Sequence, residues 1–190
     1  MIKELIVKTR SYRRFYQDFT IGIDTLRELV DLARLSASAG NQQPVKYLLS
    51  CDPDRNADVF STLAWAAALK DWPGPSEGER PSAYILMLED TVLSNPYLKC
   101  DIGIAAQSIL LGATEKGLGG CMIASIQREE LREKLAIPDH LEISLVVALG
   151  RPKEKVVVEE IGSSGNVNYW RDDNGIHHVP KRLLGDIILG

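Results

Sequence analysis

Apolar residues recur at helical spacing in five parts of the chain. A short opening helix is predicted from a face of Ile2, Leu5 and Ile6. A second helix is predicted to begin at Ile23-Asp24, which offers a hydrophobic staple and an N-cap. Three further helices are predicted at 55–69, 101–116 and 128–135. The segment 101–116, with Asp101 as its predicted cap, is apolar almost all the way round. Such a helix must be buried on more than one side, in the core or in a subunit interface.

Four shorter apolar runs, rich in Ile, Leu, Val or Tyr and bounded by turn-forming residues, predict strands. They cover residues 46–51, 83–89, 121–126 and 143–149. Helices that alternate with strands indicate a layered α/β or α+β fold. We expect one domain, residues 1–190, because a chain of 190 residues fits around a single core.

Two segments show neither helical spacing of apolar residues nor a strand-like apolar run. Residues 70–82 contain three prolines and two glycines, which predicts a long loop that could act as a lid. After residue 162 the chain again looks irregular until a last apolar stretch, Leu183 to Leu189. We interpret residues 162–190 as a C-terminal extension of the domain.

Composition and charge narrow the function classes. The net charge of −4 gives no support to nucleic acid or an anionic membrane as the main partner, since either selects for a basic face. No apolar run reaches membrane-spanning length, and the N-terminus does not resemble a signal peptide. Three widely spaced cysteines fit reduced thiols in the cytoplasm and exclude a CxxC redox pair. Any redox chemistry would therefore need a cofactor.

Two basic clusters are candidates for binding an anion. Arg10, Arg13 and Arg14 lie within five positions, next to the hydroxyl of Ser11, and could converge on a phosphate through charge-assisted hydrogen bonds. Solvated surface charges explain the same spacing equally well. The second cluster, Lys181-Arg182, is by itself more typical of a solvated face.

Several familiar motifs are absent. In "KGLGGCMIAS", residues 116–125, the glycines follow a helix and precede a strand, which reverses the Rossmann order, so a helix C-cap at Gly117 or Gly119 is the better interpretation. His177 and His178 are adjacent and share no face, so we predict no metal site. No P-loop and no GxSxG nucleophile elbow occurs.

Three stretches of the chain are informative together: "TRSYRRF", the polar turn "SASAGNQQP", and "DIGIAAQSILLGATEKGLGGCMI". In their order and spacing they resemble the nitroreductase family of FMN-dependent oxidoreductases. The basic pair in "HHVPKR" adds to the likeness. The resemblance implies a homodimer with FMN at the subunit interface. It also implies an α+β fold: a three-layer α/β/α sandwich around a mixed, mainly antiparallel central sheet.

The resemblance also implies which residues contact the flavin. Arg10, Ser11 and Arg13 would do so from one subunit, and Lys181 and Arg182 would join them at the phosphate. The turn would approach the same flavin, in part from the other subunit, and a strand end would lie near the reactive N5 edge. Lys70 would be a donor near the ring. The turn and strand-end residues are Ser38, Ala39, Asn41, Gln43, Ala124 and Ser125.

The implied chemistry is a ping-pong cycle, in which NADH or NADPH gives a hydride to flavin N5 and a nitroaromatic, quinone or activated alkene then takes it up. No side chain need be catalytic. Val45 follows Gln-Pro where the family often has Trp, and Ala124-Ser125 stands where glycine is common. Two alternatives therefore stay open: a flavin-binding or sensing protein without efficient turnover, and a flavoenzyme of this fold with other chemistry, such as reductive dehalogenation.

Overall fold

The structure is a computed structural model, and it describes residues 1–93, 95–162 and 165–189. Within these residues the chain forms five α-helices and eight strands. The helices are Ile2–Lys8 (α1), Ile23–Leu35 (α2), Pro53–Ser61 (α3), Leu98–Glu115 (α4) and Arg128–Leu135 (α5). The strands are Phe15–Tyr16 (β1), Val45–Ser50 (β2), Ala83–Asp90 (β3), Gly119–Ile123 (β4), Leu141–Pro152 (β5), Val156–Glu160 (β6), Trp170–Arg171 (β7) and His177–Lys181 (β8).

Five strands build the central sheet. The order β1-β5-β3-β2 runs across it, and β4 also pairs with β5. All of these ladders are antiparallel. A parallel contact is added where Ser11 bridges Gly120 at β4. The sheet is therefore mainly antiparallel, as predicted.

Alternating residues of β3 divide the core between the two faces of this sheet. Ile85 and Met87 pack with α2 and α4 on one face. Tyr84, Leu86 and Leu88 pack with α3 and α5 on the other. Each of these side chains is 2% exposed or less. This arrangement confirms the predicted three-layer α+β fold.

A second, smaller sheet follows β5. Its order is β6-β8-β7, with β6 parallel to β8 and β7 antiparallel to β8. None of these three strands is predicted by the sequence pattern, and β7 and β8 lie in the stretch 162–190 that was expected to be irregular. Residues 163, 164 and 190 of that predicted extension lie outside the described residues. The strands of this sheet are only two to five residues long and mostly half-buried, and apart from the three valines at 156–158 they lack the apolar runs that mark β3 and β5.

Three predicted helix limits were wrong. The helix predicted at 55–69 ends at Ser61, because the chain then leaves helical geometry and buries Leu63 and Trp65 as an irregular segment. Its start is marked by the Asp52 side chain, which accepts hydrogen bonds from two backbone amides. Helices α2 and α4 begin earlier than predicted. Gly22 rather than Asp24 is the N-cap of α2, and Tyr97 rather than Asp101 is the N-cap of α4.

Helix α4 is central to the architecture. One side packs on the sheet and on α2 and is buried from Leu98 to Ala113. The other side includes Ile104 and Gln107 and is exposed. No helix in the described part of the chain is long and apolar enough to cross a membrane.

Candidate functional site

The N-terminal segment that leads out of α1 lies against β4. Ser11 bridges Gly120, and the Tyr12 amide donates a hydrogen bond to the Gly120 carbonyl over 3.0 Å. A Cβ at Gly119 would come within 2.5 Å of the Tyr12 ring. The absence of a side chain at Gly119 thus allows this close approach. Gly117, at φ +73°, ends α4 in the left-handed conformation, as the C-cap interpretation predicts.

The segment that leads out of α1 also lines a cavity of about 320 Å³. We call it the cationic cavity. Arg10, Ser11, Arg13 and Lys181, all predicted site residues, line it together with Gln107 of α4. The fold therefore brings both ends of the chain to one place.

Charge is distributed unevenly around the cationic cavity. Within the described residues, neither Arg10, Arg13 nor Lys181 forms a side-chain ion pair. Arg14 differs, because its guanidinium forms two hydrogen bonds of 2.6 Å with the Glu79 carboxylate. Two of the three N-terminal arginines therefore remain available to an anion, and the third is committed to the fold.

Arg13 is held in place by His177. Arg13 is 8% exposed and His177 is 1% exposed. Arg13 Nη1 lies 3.2 Å from His177 Nε2, and its guanidinium stacks on the Tyr169 ring at 4.5 Å. Burial, together with the smaller effects of the nearby Arg13, Arg171 and His178, lowers the pKa of His177 from 6.5 to about 4. A neutral His177 can accept a hydrogen bond from Arg13 at Nε2, which places the ring proton on Nδ1.

Glu154 joins this segment to the small sheet. Its carboxylate accepts hydrogen bonds from the backbone amides of Arg13 and Arg14. It also pairs with Arg171 over 2.9 Å, and its side chain is fully buried. Sequence reasoning missed both Glu154 and His177 as positioning residues. The adjacent histidines were weighed only as metal ligands, and a single Glu between lysines gives no recognisable pattern.

The polar turn lies elsewhere, at a second cavity of about 240 Å³ lined in part by Ser38, Gln43 and Asp101. Asp101 organises the turn, because its carboxylate accepts from Ser38 Oγ over 2.8 Å and from the Ala39 amide over 2.9 Å. Asp101 is 4% exposed. Its predicted role as a helix cap is thus replaced by a role as anchor of the turn.

The backbone of this turn is strained. Gly40, Asn41 and Gln43 have φ values of 58°, 55° and 53°. The left-handed region suits glycine and is tolerated by asparagine, but it is unfavourable for a residue such as glutamine. Asn41 and Gln43 are exposed. The turn therefore presents two amide side chains to the surroundings at some conformational cost, which is a common feature of binding loops.

The two cavities share no lining residue. The cationic cavity meets α4 at Gln107 and Leu110, six and nine positions after Asp101, which anchors the turn. At the helical rise per residue these separations are roughly 9 and 14 Å along the helix. Within one protomer, the two halves of the predicted site therefore lie at separate cavities.

The other predicted site residues line neither cavity. Lys70 and Arg182 are exposed, as are Ala124 and Ser125 just beyond β4. The Ser125 carbonyl accepts a hydrogen bond from the Ala64 amide over 2.9 Å. Their contacts with a cofactor stay predictions.

Known proteins resemble the chain over most of its length. The model of the nitroreductase family matches residues 82–151. A protein of Archaeoglobus fulgidus, named as an NADH dehydrogenase/NAD(P)H nitroreductase, is 30% identical over 157 residues, which are 79% of this chain and 85% of that protein. A protein of the same name from Methanothermobacter thermautotrophicus is 26% identical over 78% of this chain and 76% of its own length.

Solved structures agree on the fold. A nitroreductase family protein of Streptococcus pneumoniae superposes with a TM-score of 0.70 at 19% identity, over 86% of this chain and 96% of that one. One from Clostridium novyi gives 0.65 at 27% identity, over 80% and 87%. An FMN-dependent nitroreductase of Clostridium difficile gives 0.65 at 20% identity, over 87% and 94%. The chain belongs to the nitroreductase family and is a nitroreductase-like oxidoreductase.

Proposed function

We propose that this oxidoreductase depends on FMN and transfers a hydride from NADH or NADPH to a nitroaromatic, a quinone or an activated alkene. The names of the archaeal relatives support the nicotinamide donor. The FMN dependence of the C. difficile relative supports the cofactor. A cytoplasmic location, as the sequence predicts, is part of the proposal.

The observation that carries the proposal is the set of unpaired cations at the cationic cavity. Arg10, Arg13 and Lys181 line it without carboxylate partners in the described chain, and Arg10 Nε is buried there without a hydrogen-bond partner. FMN has a dianionic phosphate, which guanidinium and ammonium groups bind through charge-assisted hydrogen bonds. The hydroxyl of Ser11 and the amide of Gln107 suit its hydroxylated ribityl chain.

When bound, the flavin would supply the redox chemistry. The residues of the chain would bind and orient it. His177 keeps Arg13 aimed at the cavity while adding no charge of its own, since it stays neutral at physiological pH. Glu154 fixes the backbone of residues 13 and 14, and its charge is balanced by Arg171. No side-chain nucleophile is required.

We further propose that the site is shared between two subunits. The turn, anchored at Asp101, lies at a separate cavity, roughly 9–14 Å along α4 from the residues of that helix that line the cationic cavity, so it would serve the cofactor of a partner copy. The exposed apolar residues Ile104 of α4 and Ile6 of α1 supply surface for such an interface. A two-fold dimer buries the same patch on both copies.

A mixing experiment tests the shared site. One variant removes cations from the cavity (Arg13→Met with Lys181→Met), and the other removes the amides of the turn (Asn41→Gly with Gln43→Gly), where glycine keeps the left-handed backbone. Each variant alone should bind FMN weakly. After refolding together, heterodimers should regain one site with wild-type affinity, because one of the two shared sites combines intact halves.

The outcomes separate the two parts of the proposal. If heterodimers regain no tight site, each protomer builds its own site and the sharing is wrong. If the wild-type protein itself takes up no FMN, the cofactor assignment is wrong, whatever the oligomeric state.

A further inference from the structure

A third cavity has a volume of about 480 Å³. It is enclosed by residues 17–20, by α3 and by residues 77–84, and it shares no lining residue with the two cavities above. We call it the Arg80 cavity. Its volume falls within the range of small-molecule sites, which is about 300–1,000 Å³.

Three residues that line this cavity carry buried polar atoms without hydrogen-bond partners in the described chain. Tyr84 is fully buried, and its hydroxyl has no hydrogen-bond partner among the described residues. Ser82 Oγ and Arg80 Nε are also buried without partners there. The Arg80 guanidinium forms no ion pair in the described ranges, and its central carbon lies over the Phe60 ring, 4.4 Å from the ring centroid. Buried polar groups in native proteins are rarely left unsatisfied, so this concentration needs an explanation.

The walls of the Arg80 cavity are fixed by hydrogen bonds. The side-chain amide of Asn56 donates to the Ser82 carbonyl over 2.8 Å, and Ser50 Oγ donates to Asn56 Oδ1 over 2.8 Å. Gln17 Oε1 accepts from the amides of Gly78 and Arg80 over 2.7 and 3.1 Å. A ligand would therefore meet a preformed site and lose little free energy in ordering it.

The donors and the walls specify a ligand class. Phe60, Pro81 and the Tyr84 ring offer apolar and flat surfaces. Burial raises the pKa of Tyr84 far above neutrality, so its hydroxyl remains a donor. A guanidinium and two hydroxyls together suit the oxygens of a carboxylate. Asp18 and Glu77 also line the cavity, and their carboxylates disfavour polyanions such as nucleotides.

We propose that the Arg80 cavity is a second binding site, for a small aromatic monocarboxylate whose carboxylate lies against Arg80 and Tyr84 and whose ring lies against Phe60. The site is separate from the cationic cavity and does not depend on the proposed cofactor. Nothing in its lining places it at the redox centre.

Fluorine NMR titration with 4-fluorobenzoate tests this site on the full-length protein loaded with FMN. We expect saturable binding with a dissociation constant of about 1 mM, as a ligand of this size allows. The uncharged 4-fluorobenzamide should bind at least about tenfold more weakly, since it lacks the charge-assisted bonds.

Two variants and one control locate the probe. Arg80→Met and Tyr84→Phe should each weaken 4-fluorobenzoate binding about tenfold, while Arg55→Met, outside the cavity lining, should leave it unchanged. Tyr84→Phe removes a hydroxyl that has no partner, so it should fold normally. Equal binding of acid and amide, or unchanged affinity in both cavity variants, would overturn the proposal. So would loss of the probe's binding when only Arg13 is replaced, because the probe would then occupy the cationic cavity.

Discussion

Lowering the pH from 7 to 5 should destabilise the folded protein through His177. This side chain is 1% exposed, and its pKa falls from 6.5 to about 4 on folding. The unfolded chain therefore binds a proton near pH 6.5, whereas the folded chain stays neutral at this position until about pH 4. Stability is full above pH 6.5 and is lost as the pH falls toward 4.

The magnitude follows from the pKa values. Each pH unit in this window costs about 1.4 kcal/mol, so the loss between pH 7 and pH 5 is about 2 kcal/mol. His177→Gln removes the titration and keeps a carbonyl oxygen that can accept a hydrogen bond from Arg13. Between pH 7 and pH 5, the free energy of unfolding of this variant should therefore fall by about 2 kcal/mol less than that of the wild type.

Urea denaturation at pH 7 and pH 5 measures the effect. The exposed His140 supplies the control, because His140→Gln should keep the pH dependence of the wild type. Equal losses in the wild type and in His177→Gln would refute the reasoning, since they would show that His177 titrates alike in the folded and unfolded chains.

Three further predictions concern the Glu79 carboxylate, the contact of Gly119 with Tyr12, and Asn41 in the polar turn. Arg14 and Lys153 lower the pKa of Glu79 to about 2, so this carboxylate stabilises the fold above pH 4.5 and loses its effect as the pH falls toward 2. Urea titration should show that Glu79→Gln costs about 1–2 kcal/mol at pH 7, allowing for solvent screening, and that the neighbouring Glu77→Gln costs little. Gly119→Ala should lower the unfolding free energy by about 1–3 kcal/mol, because its Cβ would overlap the Tyr12 ring; a neutral substitution would contradict the close contact. Asn41→Gly fits the left-handed backbone and should change stability by only about 0.5 kcal/mol, while it weakens FMN binding about tenfold in a fluorescence titration; intact FMN affinity would exclude the turn from the site.

The layered fold could be predicted because its signals are local. β3 is a continuous apolar run, and helix α5 was predicted at residues 128–135, where the structure places it. The end of α4 was also predicted correctly, because Gly117 follows the helix in the left-handed conformation. An element that buries one whole face has apolar residues at regular spacing in the sequence, so its position can be predicted from that spacing alone.

The small sheet and the contacts around Arg13 could not be predicted in this way. His177 and Glu154 position the N-terminal segment through a few hydrogen bonds to residues more than 100 positions away, and such contacts leave no periodic pattern. Arg10, Arg13 and Arg14 look equivalent in the sequence. Only the position of Glu79 separates Arg14, which is paired, from the two arginines that line the cavity.

Reduction of the purified protein under anaerobic conditions tests the central claim most directly. The FMN-loaded protein should be yellow, and addition of NADH or NADPH should bleach the flavin absorption, which should return when a quinone is added. A flavin-loaded protein that neither nicotinamide bleaches would contradict the account and favour a flavin-binding protein without turnover.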